Sequence, residues 1–336
     1  MRALELQGGF GLDRLTLTQQ PDLVAGPGEV VLAMRAASLN YRDLLMIEGN
    51  YNPRQPLPLV PLSDGVGEVV AVGAGVTRVR VGERVAPIFA QAWLAGQPTR
   101  AHLRTTLGGP LPGVLAEQLR VAAESVVRVP DHLSDVEAAT LPCAALTAWS
   151  ALITQGHLQP GDSVLVQGTG GVSLFALQFA VLAGARVLVT SSDDDKLAKA
   201  RTLGAAETVN YRTTKDWGRR AREWTGGEGV DHVVEVGGAG TLAQSLVAVR
   251  PGGHIALIGI LGGSSTDVSL LPILMQNVRV QGVIVGHREG FEAMNRAVAS
   301  AGLRPVVDKV LPWTEAREAL EYLRSGKHFG KVCLQF

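Results

Sequence analysis

Near the middle of the chain, a buried strand runs into a glycine turn and then directly into a helix. The segment reads VLVQGTGGVS over residues 164–173. Gly168 permits a tight turn, Gly170 lets the backbone approach a pyrophosphate, and the helix N-terminus offers free N–H groups to that anion. The strands and helices that alternate after it are the context this motif requires. The turn therefore predicts a dinucleotide site that includes Gly168, Gly170, Gly171 and Val172, with a ligand-free glycine turn as the alternative.

Periodicity changes along the chain. From Glu29 to Val129, short apolar runs broken by Gly and Pro, with alternation such as Val79-Arg80-Val81, predict an antiparallel, barrel-like β domain. Within it, the polar and turn-rich segment 90–112 is interpreted as a long surface loop. From about Ser134 onward, helices alternate with short apolar strands, which predicts a doubly wound parallel sheet.

The last fifty residues fall outside this alternation. They contain two helical patterns and the strand KVCLQF, and we expect them to return to the first domain. The predicted domains are therefore residues 1–143 together with 287–336, and an inserted dinucleotide-binding domain at 144–286.

The end of the second strand of the inserted domain favours NADPH over NADH. An acidic residue there would hold a ribose 2′-hydroxyl, but the strand ends on Ser191 and Ser192. Their hydroxyls can donate to a 2′-phosphate, and Lys196 and Tyr211 can supply cationic and phenolic contacts. The alternative is that Lys196 is solvated and Asp193 is either a helix N-cap or a ribose ligand, in which case NADH is preferred.

The amino-acid composition limits which partners and which cellular compartment are expected. The 31 basic and 31 acidic residues cancel, so no net field favours nucleic acid or an anionic membrane. Cys143 and Cys333 form no CxxC pair, and the N-terminal segment lacks the apolar core of a signal peptide. No apolar run approaches the roughly 18–20 residues of a membrane helix. We expect a soluble, cytoplasmic protein with no nucleic-acid or membrane partner.

Several segments resemble the medium-chain dehydrogenase/reductase superfamily over nearly the whole chain. They read AASLNYRDLLMIEGNY (36–51), PLVPLSDGVGEVVAVGAGVTRVRVGERV (58–85), LPCAALTAWSAL (141–152) and GTGGVSLFALQFA with the units after it. Within the superfamily the chain is most similar to the zinc-free quinone oxidoreductase branch, which includes zeta-crystallin. The resemblance implies an α/β fold in which a GroES-like, β-barrel-type domain carries an inserted Rossmann domain.

The resemblance also argues against a catalytic zinc. The zinc-dependent members bind the metal through Cys, His and a second Cys, and these positions fall at Asn40, Ser63 and Cys143. Asp64 matches the acid beside the histidine. One thiolate cannot replace three protein ligands of a catalytic zinc. We therefore expect no metal, and Cys143 either packs in the core or is a leftover nucleophile.

The remaining candidate site residues follow from the same resemblance. Asn40 is expected to bond the nicotinamide carboxamide or a substrate oxygen. Tyr51 either donates a proton to the acceptor oxygen or forms an aromatic wall of the pocket, with a loop tyrosine half packed on the surface as the alternative. Further cofactor contacts are expected from Thr147, from Ile258 and Ile260 beside the nicotinamide, and from Lys331 as a phosphate ligand, with a surface charge as the alternative for that lysine.

Without a Lewis acid, such a site is poorly suited to oxidising unactivated alcohols. Hydride transfer to an apolar quinone or enone is less demanding, because the developing charge spreads onto an oxygen that hydrogen-bond donors can meet. We therefore expect a metal-independent, NADPH-dependent reductase of conjugated acceptors. The alternatives are a metal-free carbonyl or alcohol oxidoreductase and a cofactor-binding structural or regulatory protein. The resemblance and the apolar composition of 253–285 also predict a homodimer.

Overall fold

The computed structural model describes all 336 residues. The strands are β1 (Arg2–Leu6), β2 (Leu15–Gln19), β3 (Glu29–Ser38), β4 (Asp64–Val72), β5 (Arg84–Pro87), β6 (Gln118–Ala122), β7 (Val126–Arg128), β8 (Ser163–Gln167), β9 (Arg186–Ser191), β10 (Glu207–Asn210), β11 (Val230–Glu235), β12 (Val249–Leu257), β13 (Arg279–Gly282), β14 (Val307–Pro312) and β15 (Lys331–Gln335).

The helices are α1 (Tyr41–Ile47), α2 (Arg100–Leu103), α3 (Asp135–Ala138), α4 (Leu146–Trp149), α5 (Gly171–Leu182), α6 (Asp194–Thr202), α7 (Trp217–Trp224), α8 (Leu242–Ala248), α9 (Leu271–Met275), α10 (Arg288–Ala301) and α11 (Ala316–Arg324). Two π-helical stretches, Leu141–Ala145 and Ser150–Thr154, flank α4.

The contacts divide the chain into two compact units. The first comprises Met1–Leu146 and Gly286–Phe336, and the second comprises Thr147–Val285. The sequence predicts domain boundaries at 143/144 and 286/287. Whether the two domains fold as separate units at those boundaries stays a prediction.

The first unit is built on a seven-stranded sheet in the order β14-β15-β3-β4-β5-β7, and β6 also pairs with β3. Its pairs are antiparallel except for the parallel pair β14–β15. Pairing of β15 with β3 sets Cys333 opposite Ser38. The C-terminal strand therefore lies immediately beside the residues that precede α1, and it brings Lys331 into the core of this unit.

The second unit contains a six-stranded parallel sheet in the order β10-β9-β8-β11-β12-β13. Numbered from β8, this order is the 3-2-1-4-5-6 arrangement of a doubly wound dinucleotide-binding sheet. All five residues of β8 are buried, as a central parallel strand covered on both faces requires. The predicted fold class is confirmed, and the strand order reverses between β8 and β11, where such sheets bind their ligands.

Two details of the first unit differ from the sequence analysis. The alternation at Val79–Val81 forms no strand, because the turn at Gly82, with φ 89°, follows at once and only Val79 enters the core. The segment 90–112 is also not simply a surface loop. Trp93 and Leu107 are buried within it, because large apolar side chains of an irregular segment still gain free energy from burial.

The expectation that no apolar run reaches membrane length is corrected. The helical stretch Asp135–Thr154 is long and apolar enough, by length and composition, to cross a membrane, but 72% of it is buried inside the protein. Its apolar residues therefore already have partners, as those of a core helix do.

Candidate active site

The glycine turn of the second unit has the geometry of an anion-binding loop. Gly168 follows β8 with φ 72°, a conformation that favours glycine, and its N–H donates to the Thr190 carbonyl at 2.8 Å. Gly170 is the N-cap of α5, makes no side-chain capping bond, and has open space where a Cβ would stand. The first N–H groups of α5, from Gly171 and Val172, therefore face that space without a capping side chain.

Ser173 occupies the position of the third glycine of the motif. Its hydroxyl donates to the Gln167 carbonyl at 2.6 Å, and the residue is buried. A small hydroxyl there keeps α5 close to β8 and satisfies a carbonyl at the strand end. The residues of this turn fit the pyrophosphate of a dinucleotide, which would supply a transferable hydride at its nicotinamide when bound.

At the end of β9 lie residues that are predicted to determine the preference for NADPH over NADH. The Tyr211 N–H donates to the Ser191 carbonyl at 3.0 Å, so both residues lie at one edge of the sheet. The Ser191 hydroxyl is buried and accepts a bond from the Asp193 N–H at 3.3 Å, while Ser192 is half-buried. The Asp193 carboxylate accepts from the Lys196 N–H at 3.0 Å, so Asp193 is an N-cap of α6, as one of the two interpretations expects.

A buried carboxylate that the sequence analysis missed organises the neighbouring strand end. Glu235, the last residue of β11, is fully buried. Its Oε1 accepts from the N–H groups of Gly237 and Gly238 at 2.8 and 2.9 Å and from the Thr241 hydroxyl. Its Oε2 accepts from Gln167 Nε2 at 2.7 Å and from the Ser245 hydroxyl.

This network fixes the loops that follow β11 and β12. Gln167 Oε1 accepts from the N–H groups of Val236 and Gly237, and the Gly262 N–H donates to the Gly237 carbonyl at 2.7 Å. The Ile258 N–H donates to the Glu235 carbonyl at 2.8 Å. The sequence signal for Glu235 is an acidic residue that follows an apolar strand and precedes two glycines. The same pattern also occurs in surface turns.

Two of the predicted nicotinamide neighbours, Ile258 and Ile260, follow the end of β12. Ile258 is half-buried beside β12, whereas Ile260 is 53% exposed. Thr147 is buried in α4. Their roles toward the cofactor remain predictions.

In the first unit, Asn40 lies in a buried polar cluster. Its N–H donates to Asp43 Oδ2 at 2.8 Å and so begins α1. Its side-chain Oδ1 accepts from Lys331 Nζ at 2.6 Å, and its Nδ2 lies 3.5 Å from Ser63 Oγ. The Ser63 hydroxyl donates in turn to Asp64 Oδ1 at 2.8 Å.

The surface-charge alternative for Lys331 is therefore wrong. The side chain is 3% exposed, and its ammonium donates to Asn40 Oδ1 and to the Leu39 carbonyl. A lysine held in this way is not a surface charge, and its contact with a cofactor phosphate stays a prediction. Its sequence position, at the start of the last strand, gave no sign of its neighbours, because the partners lie almost the whole chain apart.

Two carboxyls and a thiol complete the cluster. Burial raises the pKa of Asp64, and the nearby Lys331 ammonium opposes that rise. The Asp64 carboxylate also accepts from the Cys143 N–H at 2.9 Å. Burial raises the pKa of Asp43 to about 6, against the opposing charge of Arg42. Burial and then the Asp64 charge raise the pKa of the Cys143 thiol, which favours its neutral form over that of an activated nucleophile.

Tyr51 is 52% exposed and lies against Arg42. The guanidinium carbon of Arg42 is 5.2 Å from the centre of the Tyr51 ring and 4.9 Å from that of Phe89. Arg42 also donates to the carbonyls of Leu107 and Gly109. The arginine thus fixes one face of the Tyr51 ring. The exposure agrees with a loop tyrosine half packed on the surface, and the roles of proton donor and pocket wall stay predictions.

The cluster does not fit a catalytic zinc. The residues at the ligand positions are an amide, a hydroxyl and a protonated thiol, and the ammonium of Lys331 bonds Asn40 directly. A cation beside neutral side chains disfavours a divalent metal, which requires deprotonated N or S ligands. No group of three or more His, Cys, Asp or Glu side chains is arranged to hold a metal ion.

A parallel dinucleotide-type sheet with a glycine turn, joined to a unit of antiparallel strands, defines a class of nucleotide-dependent oxidoreductases. Residues 26–131 match the alcohol dehydrogenase GroES-like domain, and residues 171–300 match the zinc-binding dehydrogenase family. The chain belongs to the medium-chain dehydrogenase/reductase superfamily and is an oxidoreductase, which confirms the resemblance seen in its sequence.

Two relatives illustrate the range of the family. A zinc-type alcohol dehydrogenase-like protein of Schizosaccharomyces pombe is 43% identical over 92% of this chain and 91% of its own length. The acryloyl-coenzyme A reductase of Metallosphaera sedula is 31% identical over 91% of this chain and 92% of its own length.

Solved structures of similar proteins cover the whole of this chain. An NAD-dependent alcohol dehydrogenase is 34% identical with a TM-score of 0.92 and is covered in full. A mycobacterial protein in complex with NADPH is 27% identical with a TM-score of 0.83, also covered in full. A 2-haloacrylate reductase is 28% identical with a TM-score of 0.82 and is 99% covered.

Proposed function

We propose that the chain is an NADPH-dependent, zinc-independent reductase that transfers hydride to a conjugated acceptor such as a quinone or an enone. The observation that carries this proposal is the Asn40–Lys331 cluster, which supplies hydrogen-bond donors and a buried positive charge but no ligand set for zinc. The names of two relatives, a reductase of acryloyl-coenzyme A and a reductase of 2-haloacrylate, support an acceptor whose double bond is conjugated to a carbonyl.

Different residues of the chain have different roles in this reaction. The glycine turn binds the pyrophosphate with the N–H groups of α5. The loops held by Glu235 border the nicotinamide. Asn40 donates to the acceptor oxygen as negative charge develops on it, which stabilises the transition state more than the ground state. Tyr51 either donates to the same oxygen or closes the apolar wall of the pocket.

Steady-state turnover tests the proposal directly. The purified protein would be assayed with NADPH against a quinone, an enone, an acrylyl thioester and an aldehyde, and with NADP⁺ against a primary alcohol. We expect kcat/KM to be highest for the conjugated acceptors. The relatives named as alcohol dehydrogenases favour a metal-free carbonyl or alcohol oxidoreductase as the second candidate, and a higher kcat/KM for the aldehyde or alcohol would establish it.

The protein is expected to work without bound metal, because Asn40 and Ser63 occupy the positions where thiolate and imidazole ligands are needed. Elemental analysis of the purified protein should give far less than one zinc per chain. Prolonged treatment with a chelator should leave kcat unchanged. One zinc per chain that is lost together with activity, and restored together with it, would contradict the expectation.

We also propose a homodimer formed through the β13 edge of the six-stranded sheet. β13 pairs only with β12, and several large apolar residues near it are exposed: Leu270, Leu271, Leu274, Met275 and Ile284. An unpaired edge beside such a surface is seldom left uncovered. Light scattering should give twice the 35.4-kDa chain mass.

Replacing Leu271 and Leu274 with lysine should shift the protein to the monomer, since each buried leucine of an interface contributes about 1.5–3 kcal/mol. The matched control is Val24→Lys in the first unit, where an apolar side chain is 75% exposed. A wild-type mass of one chain at micromolar concentration would rule out the proposed dimer.

A further inference from the structure

Lys331 has an unusual environment for a lysine. It is the first residue of β15 and is 3% exposed. An ammonium taken out of water must find hydrogen-bond acceptors or lose its charge. Lys331 Nζ finds them in Asn40 Oδ1, at 2.6 Å, and in the Leu39 carbonyl. Both acceptors belong to the segment that leads into α1, so the lysine ties the last strand to the residue proposed to touch the substrate.

The contact with Lys331 determines the orientation of the Asn40 carboxamide. The oxygen and nitrogen of a carboxamide have nearly the same shape, and only their partners distinguish them. An ammonium has three N–H donors and no acceptor. The atom facing Lys331 must therefore be Oδ1, and the NH2 group must face the opposite side, toward Ser63 and Asp64.

The NH2 group remains able to serve a ligand. Nδ2 lies 3.5 Å from Ser63 Oγ, and the Asn40 side chain also hydrogen-bonds the Asp64 carboxyl. A carboxamide NH2 group has two N–H donors, so one can bond an acceptor oxygen while the other stays with these residues. The Ser63 hydroxyl keeps its own acceptor, Asp64 Oδ1, at 2.8 Å. With its oxygen held by Lys331, Asn40 can present only its NH2 group to an acceptor oxygen, and it does not have to reorient during the reaction.

Lys331 also balances the charge of Asp64. That carboxyl is fully buried and accepts from Ser63 and from the Cys143 N–H. A buried carboxylate without a counter-charge is costly, whereas a compensated one is tolerated. The lysine therefore has two separable effects, one on the charge of Asp64 and one on the orientation of Asn40.

We propose that Lys331 is a positioning residue of the reductase site, which holds the Asn40 carboxamide with its NH2 group directed at the acceptor oxygen. This inference rests on the proposed function, since it assigns Asn40 a role in hydride transfer to a conjugated acceptor. Lys331 itself touches neither substrate nor cofactor in this proposal and acts through Asn40.

Three variants separate the two effects of the lysine. Lys331→Met removes the ammonium and keeps the length of the side chain. The double variant Lys331→Met with Asp64→Asn removes both charges, and an asparagine at position 64 can still bond Ser63 and the Cys143 N–H. Lys327→Met is the matched control, because that lysine lies in the same unit and is exposed.

We expect Lys331→Met to lower kcat for the quinone or enone by about tenfold to a hundredfold, the loss typical of a misplaced reacting group. KM for the acceptor should change by less than about threefold, because the interaction is realised mainly in the transition state. The double variant should recover its urea unfolding midpoint but not its kcat. Lys327→Met should match the wild type in both.

A second measurement does not depend on turnover. In protein labelled with ¹⁵N-asparagine, the Asn40 side-chain signals can be assigned by their loss in Asn40→Asp. Their hydrogen exchange should be at least about tenfold faster in the double variant than in Asp64→Asn alone, because both proteins lack the Asp64 carboxylate and only the double variant lacks the bond from Lys331 that fixes the amide.

The outcomes distinguish this inference from the proposed function. Recovery of kcat in the double variant would show that Lys331 only neutralises Asp64, and it would overturn the positioning role. So would a Lys331→Met variant as active as Lys327→Met, or Asn40 exchange that is equal in Asp64→Asn and the double variant. If the wild type reduces no conjugated acceptor, the proposed function fails, and the exchange measurement alone then decides whether Lys331 orients Asn40.

Discussion

Replacing Ser191 with aspartate and Lys196 with alanine is expected to invert the cofactor preference from NADPH to NADH. Charge-assisted contacts to a phosphate contribute about 1.5–3 kcal/mol each, and two of them give on the order of a hundredfold preference. The aspartate would repel the 2′-phosphate and accept from a ribose diol. The maximal rate should change little, because the 2′-phosphate lies far from the transferred hydride.

The local structure explains the choice of these positions. Ser191 ends β9, and the Tyr211 N–H bonds its carbonyl at 3.0 Å, so strand end, tyrosine and the first turn of α6 share one edge of the sheet. Fluorescence titration with NADPH and NADH measures the preference. Lys199→Ala is the control, since it removes a lysine from the exposed side of the same helix.

Equal affinity of the wild type for the two cofactors would contradict the argument. Asp193 would then be the ribose ligand, although its carboxylate already caps the Lys196 N–H at 3.0 Å. Asp193→Ala would weaken NADH binding in that case, whereas under the proposed preference it should act mainly on the stability of α6, by about 1 kcal/mol.

The sequence predicts those parts of the molecule that depend on local pattern. The apolar strand, the glycine turn and the βαβ alternation lead to the six-stranded parallel sheet, because each of these features is specified by neighbouring residues. The same reasoning assigns Gly168 to the tight turn and Gly170 to the close approach of a ligand before any contact is known. These features can be predicted without knowing which distant residues are in contact.

The parts that the sequence analysis missed depend on contacts between distant residues. Lys331 and Asn40 are separated by 291 positions, so nothing near KVCLQF indicates that its lysine bonds the Asn40 amide. Glu235 and Gln167 are 68 positions apart, and an acid at a strand end resembles a surface residue until its partners are known. Charged residues buried with specific partners are the exception to the usual exposure of such side chains, and pattern alone does not identify them.

The largest loss of stability is expected from Glu235→Ala. The carboxylate receives hydrogen bonds from two backbone N–H groups, two hydroxyls and the Gln167 amide, all in the buried end of the sheet. Removing a buried acceptor leaves its donors without partners, which costs more than the bonds themselves contribute. We expect the free energy of unfolding to fall by about 3–5 kcal/mol.

Urea unfolding checks this expectation, with Glu228→Ala as the control because Glu228 is an exposed acid of the same unit. The variant Glu235→Gln keeps the volume but presents an NH2 group to donors, so it should lose most of the same free energy. NADPH affinity should fall as well in both variants, since the loop from Val236 to Thr241 and the loop at Gly262 lose their common anchor. If Glu235→Ala unfolds within about 1 kcal/mol of Glu228→Ala, the site at the end of β11 is organised by its backbone contacts, and the buried carboxylate is not what positions these loops.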